Sequence, residues 1–383
     1  PDCYYSFKSL AGVGVAYQLV QALAEAQQVH GLRDIDPEQF LDLVALGTVA
    51  DIVPLTGENR SLAHWGLRRM RESSRVGLLK LMEKAGVQPE QVDGEAIGFR
   101  LGPRINAAGR LEHAQLAYRL LMTDEEEEAE ELAEQLHQIN QERQQLLDQQ
   151  CGHARELVDG DEDGPALIVD DPTFHEGIVG LIASRLTESF YRPTLVMRKG
   201  EKVTRGSARS IEGFHITRAL DHCADLLSRY GGHASVANVT PATENLPAFR
   251  ERLASYCAER IEVDTLQRRI RVDAIVPITD LDETTPHRLR RMAPFGEDNP
   301  APSLASVDLD LLSLRPVGRE DRHLRLSVGD GSYSLSAIAF RQGHLAKTLS
   351  LGDKVDIVYT PSLNTYRGRT SLQLVVRAIR KST

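Results

Sequence analysis

Four stretches of this sequence hold residues whose types and spacing could do chemistry. "LGTVADIVPL", residues 46–55, sets one carboxylate, Asp51, in an apolar run with no basic neighbour. An unpaired ionised acid costs several kcal/mol to bury, so Asp51 either caps the adjoining turn or serves a site that supplies the compensating charge. "RLGPRINAAGR" holds Arg104, Asn106 and Arg110 among two glycines and a proline. A loop is expected there, and its planar guanidinium forks could hold a phosphate. "RGSARSIEGFHI" offers Ser207, Arg209 and Ser210 after an expected strand and before an expected helix. At such a position hydroxyl, guanidinium and backbone N–H groups can converge on an anion. "RYGGHASVANVT" gives Gly231, Gly232 and His233, where the glycines let backbone amides approach a ligand closely. Each stretch alone also reads as ordinary structure, but three in one chain point to an extended phosphate-binding surface.

These residues need elements to position them. Residues 5–123 read as mainly helical, and the G-x-G at Gly12 and Gly14 follows no strand and lacks a third glycine, so it is read as close helix packing rather than a dinucleotide loop. "TDEEEEAEELAEQLHQINQERQQLLDQQCGHARELV" then starts with Thr123 and Glu126 at capping-box spacing. Ala129, Leu132, Leu136, Ile139, Arg143, Leu147 and Ala154 recur at helical steps, so one face packs and the charged remainder is solvated. If unbroken, this helix would run about 50 Å and join domains. "PALIVDD" and "PTLVMRKG" read as buried strands alternating with the helical "GIVGLIASRLTESF" and "HITRALDHCADLLSRY", an α/β domain over about 160–262. Five strand-like runs follow, "VDLDLLSLRPVG", "HLRLSVGDG", "YSLSAIAFRQG", "KVDIVYTPSL" and "SLQLVVRAIR", the pattern of a small closed barrel of OB type. Its loop "NTYRGRTS" places Tyr366 beside Arg367 and near Arg369, which suits stacking on a base or forms an ordinary hairpin turn.

The chain has 383 residues and a net charge of −10, which looks hostile to a polyanion. The acidity is local, however. Residues 124–164 hold two Lys/Arg against 15 Asp/Glu, whereas residues 265–383 hold 18 against 13. An acidic total therefore does not exclude a polyanionic substrate. No apolar stretch suits a bilayer crossing, no signal peptide is seen, and the opening Pro1 suggests a fragment. Cys3, Cys151, Cys223 and Cys257 never form C-x-x-C, which argues for reduced thiols, against a zinc site and for a cytoplasmic setting.

"LGTVADIVPLTGENR", "GPRINAAGRL", "FHEGIVGLIASRL", "GSARSIEGFHI" and "GGHASVAN" resemble consecutive motifs of the bacterial single-strand-specific exonucleases of the DHH phosphoesterase superfamily. "MAPFGEDNPAP" and "YRGRTSLQLVVRAIR" resemble the OB domain of the same family. The resemblance implies an α/β multidomain chain: the C-terminal part of a DHH catalytic domain over 1–123, a connecting helix over 124–158, a DHHA1 substrate-binding domain over 160–262 and an OB barrel over 265–383. It implies that Asp51 is a catalytic ligand of a divalent metal, Mn2+ or Mg2+, with two ions in the intact enzyme. Arg104, Ser207 and Arg209 match positions tied to the 5' phosphate, and Gly231, Gly232 and His233 match a phosphate-contacting motif. His175 falls where the family has a histidine after a tryptophan, here Phe174, and Asn238 replaces a final glycine.

The motifs that should precede "CYYSFKSLAGVGVA", an Asp-x-Asp segment, a further aspartate and the Asp-His-His triplet, are not found. The implied activity is metal-dependent 5'-to-3' hydrolysis of single-stranded DNA in repair and recombination, with this chain incomplete and inactive alone. Implied partners are single-stranded DNA, a single-strand-binding protein and a helicase, with a monomeric chain and no membrane. The alternatives are a DHH phosphodiesterase for dinucleotides or short RNA, and a non-catalytic single-strand-binding scaffold.

Overall fold

The structure, a computed structural model, describes residues 4–30, 35–158, 164–366 and 368–382. The helices are α1 (Gly12–His30), α2 (Leu41–Ala50), α3 (Gly57–Arg71), α4 (Val76–Ala85), the short α5 (Gly94–Ala96), α6 (Gly102–Leu111), α7 (Gln115–Met122), α8 (Glu126–Val158), α9 (Val179–Phe190), α10 (Ile216–Asp221), α11 (Leu246–Arg260) and α12 (Thr285–Arg290). Two compact units interleave along the chain. One takes Pro1–Ser73, Val87–Gly102 and Ile270–Thr383, the other Ser74–Gly86 and Pro103–Arg269. No helix among the described residues is long and apolar enough to cross a membrane.

In the first unit, α2 and α3 approach closely at glycines. A methyl group at Gly66 would sit 2.3 Å from the Leu41 carbonyl oxygen, and one at Gly47 would sit 2.8 Å from Val13 on α1. Close packing thus falls on Gly47 and Gly66, while Gly12 has open space around it. The segment from Met292 to Asn299 is tied to the same helices. The Leu55 N–H donates to Glu297 O at 2.8 Å, and Arg60 Nη2 donates to Met292 O at 2.7 Å.

The same unit ends in a closed barrel of β7 (Leu304–Val317), β8 (His323–Gly329), β9 (Ser334–Ala339), β10 (Lys354–Tyr366) and β11 (Arg369–Lys381), all placed as the alternation foretells. Strand order is β10-β11-β9-β8-β7, β9 and β11 run parallel, and β10 also pairs with β7 to close the ring. Closure removes every free edge of these five strands. Alternate residues such as Leu324, Leu326 and Val328, or Val355, Ile357 and Tyr359, fill the interior. The buried Tyr359 hydroxyl meets the buried Ser306 Oγ at 2.8 Å, so both polar groups are satisfied.

The second unit holds a five-stranded sheet in the order β1-β2-β3-β5-β4. Its strands are β1 (Leu167–Asp171), β2 (Thr194–Arg198), β3 (Arg205–Arg209), β4 (Leu227–Gly232) and β5 (Val236–Pro241), and β6 (Ala274–Ile275) belongs to the barrel sheet. β1 and β2 are parallel, so α9 crosses over between them on one face. α8 and α9 share a core with Val169 and Val196 on that face, while α10 and α11 cover Leu195, Met197, Ala208 and Ala237 on the other.

Three expectations change here. Helix formation ends at Asp221 and "LSRYGG" is strand β4, because its backbone pairs with β5 from Leu227 to Gly232. "GPRINAAGRL" is helix α6 rather than a loop. A π turn at Ile97–Leu101 precedes Pro103 and widens the ladder where the missing N–H and the ring would otherwise break it. Thr123 pairs with Glu128 rather than Glu126: its hydroxyl donates to Glu128 Oε2 at 2.6 Å and accepts the Glu125 N–H at 3.2 Å. Part of the acidic run on α8 is also paired, with Lys80 and Lys84 of α4 reaching Glu126, Glu130 and Glu134.

Candidate functional site

β3 is the middle strand of its sheet, and alternation puts Arg205, Ser207 and Arg209 on the face covered by α9. The hydroxyl and guanidinium therefore lie on the strand itself, not in a loop after it. Ser207 is buried, and Arg209 folds back over it. Arg209 Nη1 donates to Ser207 Oγ at 2.7 Å and to Ala208 O at 2.8 Å, while Nε donates to Ser184 Oγ of α9 at 3.1 Å. Nη2 has no hydrogen-bond partner among the described residues and faces Gly180 in the first turn of α9. A methyl group at Gly180 would lie 2.8 Å from Nη2 and 3.2 Å from Ser207 Oγ, so the missing side chain is what leaves room for the guanidinium. The N-terminus of α9 has no side-chain cap, which leaves first-turn amides and the positive end of the helix dipole at the same place.

A second arm comes from α6. Arg110 Nη1 donates to Gly177 O at 3.2 Å, and a methyl group at Gly177 would sit 2.1 Å from the Arg110 carbonyl oxygen. The loop before α9 thus lies against the end of α6. That loop is itself clamped, because Gln150 Oε1 on α8 accepts the His175 N–H at 3.0 Å and Gln150 Nε2 donates to Thr173 O at 2.9 Å. His175 is exposed and its Nδ1 accepts the Gly177 N–H at 3.1 Å, which leaves Nε2 to carry the proton and donate outward. Phe174, in the place of the family's tryptophan, is buried and packs edge-on to His153.

Electrostatics mark this place more clearly than geometry alone. Burial, and then the neighbouring Arg110, pushes Arg209 below the ordinary arginine range, and burial does the same to Arg110. Arg143 of α8 is also pushed down, by burial and then by Arg110 and Arg185. Arg185 is neutralised by Asp148, but among the described residues no carboxylate lies within ion-pair distance of Arg110, Arg143 or Arg209. Arg110 and Arg209 are partly buried like charges with no ion-paired acid, and Arg143 feels Asp148 only at longer range, so these charges are held there at a cost that a bound anion would offset.

Not every expected residue joins this cluster. Arg104 is six positions before Arg110 on α6 and so lies on another side of the helix. Its guanidinium contacts His137 Nδ1 of α8 at 3.2 and 3.1 Å and donates to Lys84 O at 3.3 Å. Asn106, four before Arg110, shares its side of the helix and is exposed. Gly231 and Gly232 are on β4, where Asn238 of β5 lies between Ser207 and Gly231 in register. Gly232 has φ 156°, and a methyl group on it would meet Val236 O at 2.2 Å. His233 is exposed in the β4–β5 turn, its N–H donating to Val236 O at 2.7 Å, one strand away from Arg209. Sequence reasoning missed Gly180, Ser184 and the role of Arg143, although an arginine on the packed stripe of α8 was a visible signal.

In the other unit, Asp51 is exposed at the C-cap of α2, which corrects the expectation of a buried acid. Its N–H donates to Gly47 O, and its carboxylate has no partner among the described residues. A carboxylate at the negative end of a helix is unfavourable by itself and favours a cation beside it. One carboxylate can anchor at most part of the shell of a Mg2+ ion, which takes one or two carboxylates with waters and substrate phosphates, and it cannot bridge two ions by itself. Among the described residues no group of three or more His, Cys, Asp or Glu could hold a metal ion. The residues present therefore do not by themselves fit a complete metal centre. Arg367 and the side chain of Tyr366 lie outside the described residues, as does Cys3; Cys151, Cys223 and Cys257 are free and buried.

Comparison with known proteins places these parts in a family. Residues 163–259 match the DHHA1 domain and residues 272–378 the RecJ OB domain. The single-stranded-DNA-specific exonuclease RecJ of Bacillus subtilis is 35% identical over 98% of this chain, which spans 47% of that protein. The Salmonella typhimurium protein of the same name is 35% identical over 98% of this chain and 68% of its own length. The crystal structure of Thermus thermophilus RecJ in complex with Mn2+ superposes with a TM-score of 0.83 at 32% identity, covering all of this chain and 55% of that one. A Mg2+ complex of the same protein matches equally well. With the DHHA1 sheet, the OB barrel and relatives matched end to end along this chain, it belongs to the RecJ family of single-strand-specific exonucleases.

Proposed function

We propose that this chain is the end-recognising and strand-holding part of a metal-dependent exonuclease that degrades single-stranded DNA from the 5' end in repair and recombination. The observation that carries this reading is Arg209, bonded to the buried Ser207 at 2.7 Å, open at Nη2 towards the first turn of α9 and beside Arg110, with no carboxylate within ion-pair distance of either arginine among the described residues. A terminal phosphate would take the free Nη2 of Arg209, the amides of the first turn of α9 and the outward Nε2–H of His175. His233 and the β4–β5 turn, with Gly231 and Gly232, would contact the backbone next to it, and Asn106 would extend the surface along α6, whereas Arg104 is turned to His137 and the Lys84 carbonyl on another side of that helix. Labour divides as a DHH part over 1–123, a connecting helix over 124–158, a DHHA1 domain over 160–262 and an OB domain over 265–383. The OB barrel, with Tyr366 and Arg367 of the stretch "NTYRGRTS", would hold the strand by stacking and phosphate contacts.

Divalent ions, when bound, supply a hydroxide near neutral pH and a clamp on the scissile phosphate. Asp51 would give one carboxylate to such a centre, Mn2+ or Mg2+, two ions in the intact enzyme. The proposed setting is a cytoplasmic monomer working with a single-strand-binding protein and a helicase. A dinucleotide phosphodiesterase is the weaker reading, since it has no use for the closed barrel. The test is binding of 5'-phosphorylated against 5'-hydroxyl oligonucleotides: a preference for the phosphate that Arg209→Met removes supports the assignment, and equal binding of both ends by the unaltered chain overturns it.

A further inference from the structure

The chain's one tryptophan stands on the surface and is none of the residues assigned above. Trp65 lies in α3, whose sequence carries four arginines and one histidine against one acid, in a chain of net charge −10. Its side chain remains 53% exposed although an indole is among the largest apolar groups available for burial. The Arg68 guanidinium sits 5.6 Å from the ring centre, and His64 lies edge-on at 5.4 Å. These contacts fix the indole without covering it.

Two recesses flank Trp65. One is lined by Tyr17, Leu41, Leu62 and Arg69 together with Glu38 and Glu72, so it carries both signs of charge. The other is lined by Arg60, His64, Arg291, Ala293 and Pro294 and includes no carboxylate. Arg60 is held in place by its bond to Met292 O, next to the basic end of α12 with His287, Arg288 and Arg290. Among the described residues Arg60, Arg68, Arg69 and Arg291 form no ion pair. All of these residues belong to the first compact unit.

We infer that Trp65, with Arg60, His64 and Arg291, is a stacking platform for single-stranded nucleic acid, the base lying on the indole and the adjoining phosphates on the two guanidinium groups. An aromatic face beside fixed cations is the pairing that sequence-tolerant strand binding uses. An acidic peptide would meet Glu38 and Glu72 in the recess that holds Tyr17, Leu41 and Leu62, and the cationic recess offers its side chains only Ala293 and Pro294. The inference rests on the proposed reading of the chain as a strand binder, and adds a contact separate from the phosphate cluster and from the barrel.

Because Trp65 is the only tryptophan, its emission reports on this surface alone. The chain is titrated with unlabelled oligothymidylate while tryptophan emission is followed, and in parallel with a fluorescein-labelled oligothymidylate read by anisotropy. Quenching that saturates with the anisotropy, and affinity weakened about fivefold or more by Trp65→Ala, is the expected result. Arg291→Gln should weaken binding in the same sense and flatten its salt dependence, with an unchanged melting curve showing that the fold is intact. Anisotropy without quenching, and with affinity unaltered in both variants, overturns the platform and leaves the strand-binding function standing. No anisotropy change at all overturns the function itself. Quenching by an acidic aromatic peptide but not by oligothymidylate would overturn the platform too, and make this a protein-docking surface.

Discussion

Replacing Arg209 by methionine separates a ligand-binding charge from a structural one. The guanidinium makes three internal hydrogen bonds, to Ser207 Oγ, Ala208 O and Ser184 Oγ. Neither serine is orphaned by its loss, since Ser207 Oγ also lies 3.5 Å from Ala237 O and Ser184 Oγ donates to Gly180 O at 3.0 Å. The charge itself is disfavoured by burial and by Arg110. Methionine keeps much of the packing volume and removes that repulsion, so the melting temperature is expected to stay level or rise. The affinity for a 5'-phosphorylated oligonucleotide should fall by one charge-assisted hydrogen bond, about 1.5–3 kcal/mol, or roughly 10- to 150-fold. Affinity for the 5'-hydroxyl oligonucleotide should change little. Competition anisotropy with the two oligonucleotides, alongside thermal melts, reads both quantities. Equal loss on both ends would make Arg209 a general backbone contact, and a clear drop in melting temperature would make it a folding residue.

Gly180→Ala should reduce the same 5'-phosphate preference with little loss of stability, because its methyl group collides with the unbonded Nη2 of Arg209, a side-chain end that can shift, rather than with backbone; the two-oligonucleotide competition checks it. Gly77→Ala is the opposite case, since its methyl group would sit 1.6 Å from the Leu120 carbonyl oxygen, and chemical denaturation should show a loss of about 1–3 kcal/mol as α4 and α7 separate. Burial pushes the thiols of Cys223 and Cys257 up to about 11 and about 12, so at pH 8 both stay protonated and should resist iodoacetamide in the folded chain, with rapid labelling appearing only on unfolding. Asp51→Ala, placed in a full-length relative, should abolish cleavage at saturating Mn2+ while leaving strand binding in place; turnover close to the unaltered enzyme's would remove Asp51 from the metal centre.

How far the sequence carries the fold depends on whether local pattern and tertiary pairing agree. The barrel strands were legible because apolar residues alternate through them and fill one interior, as Leu324, Leu326 and Val328 do. The long helix was legible from its stripe, and that stripe already held Arg143. "LSRY" misled because its residues suit a helix locally, while pairing with β5 decides for strand. "GPRINAAGRL" misled because proline and glycine usually end helices, and a π turn that accommodates Pro103 leaves no sequence signature. For the candidate site, type and spacing singled out Ser207 and Arg209, whose side chains the structure joins by a 2.7 Å hydrogen bond. That Arg110 rather than Arg104 stands beside them follows from helix phase, which a loop reading could not use. The exposure of Asp51 was missed because its apolar neighbours suggested burial, whereas Ile52, at φ 56°, itself turns outward to 71% exposure.

The most direct test incubates the purified chain with Mn2+ and a labelled 5'-phosphorylated oligonucleotide, measuring binding by anisotropy at low and high salt and cleavage on a gel. Binding should appear, weaken steeply with salt as phosphate contacts require, and be accompanied by no hydrolysis, because among the described residues no group of three or more His, Cys, Asp or Glu could organise the ions. Metal-dependent cleavage by this chain, or binding that is absent or insensitive to salt, would contradict the account.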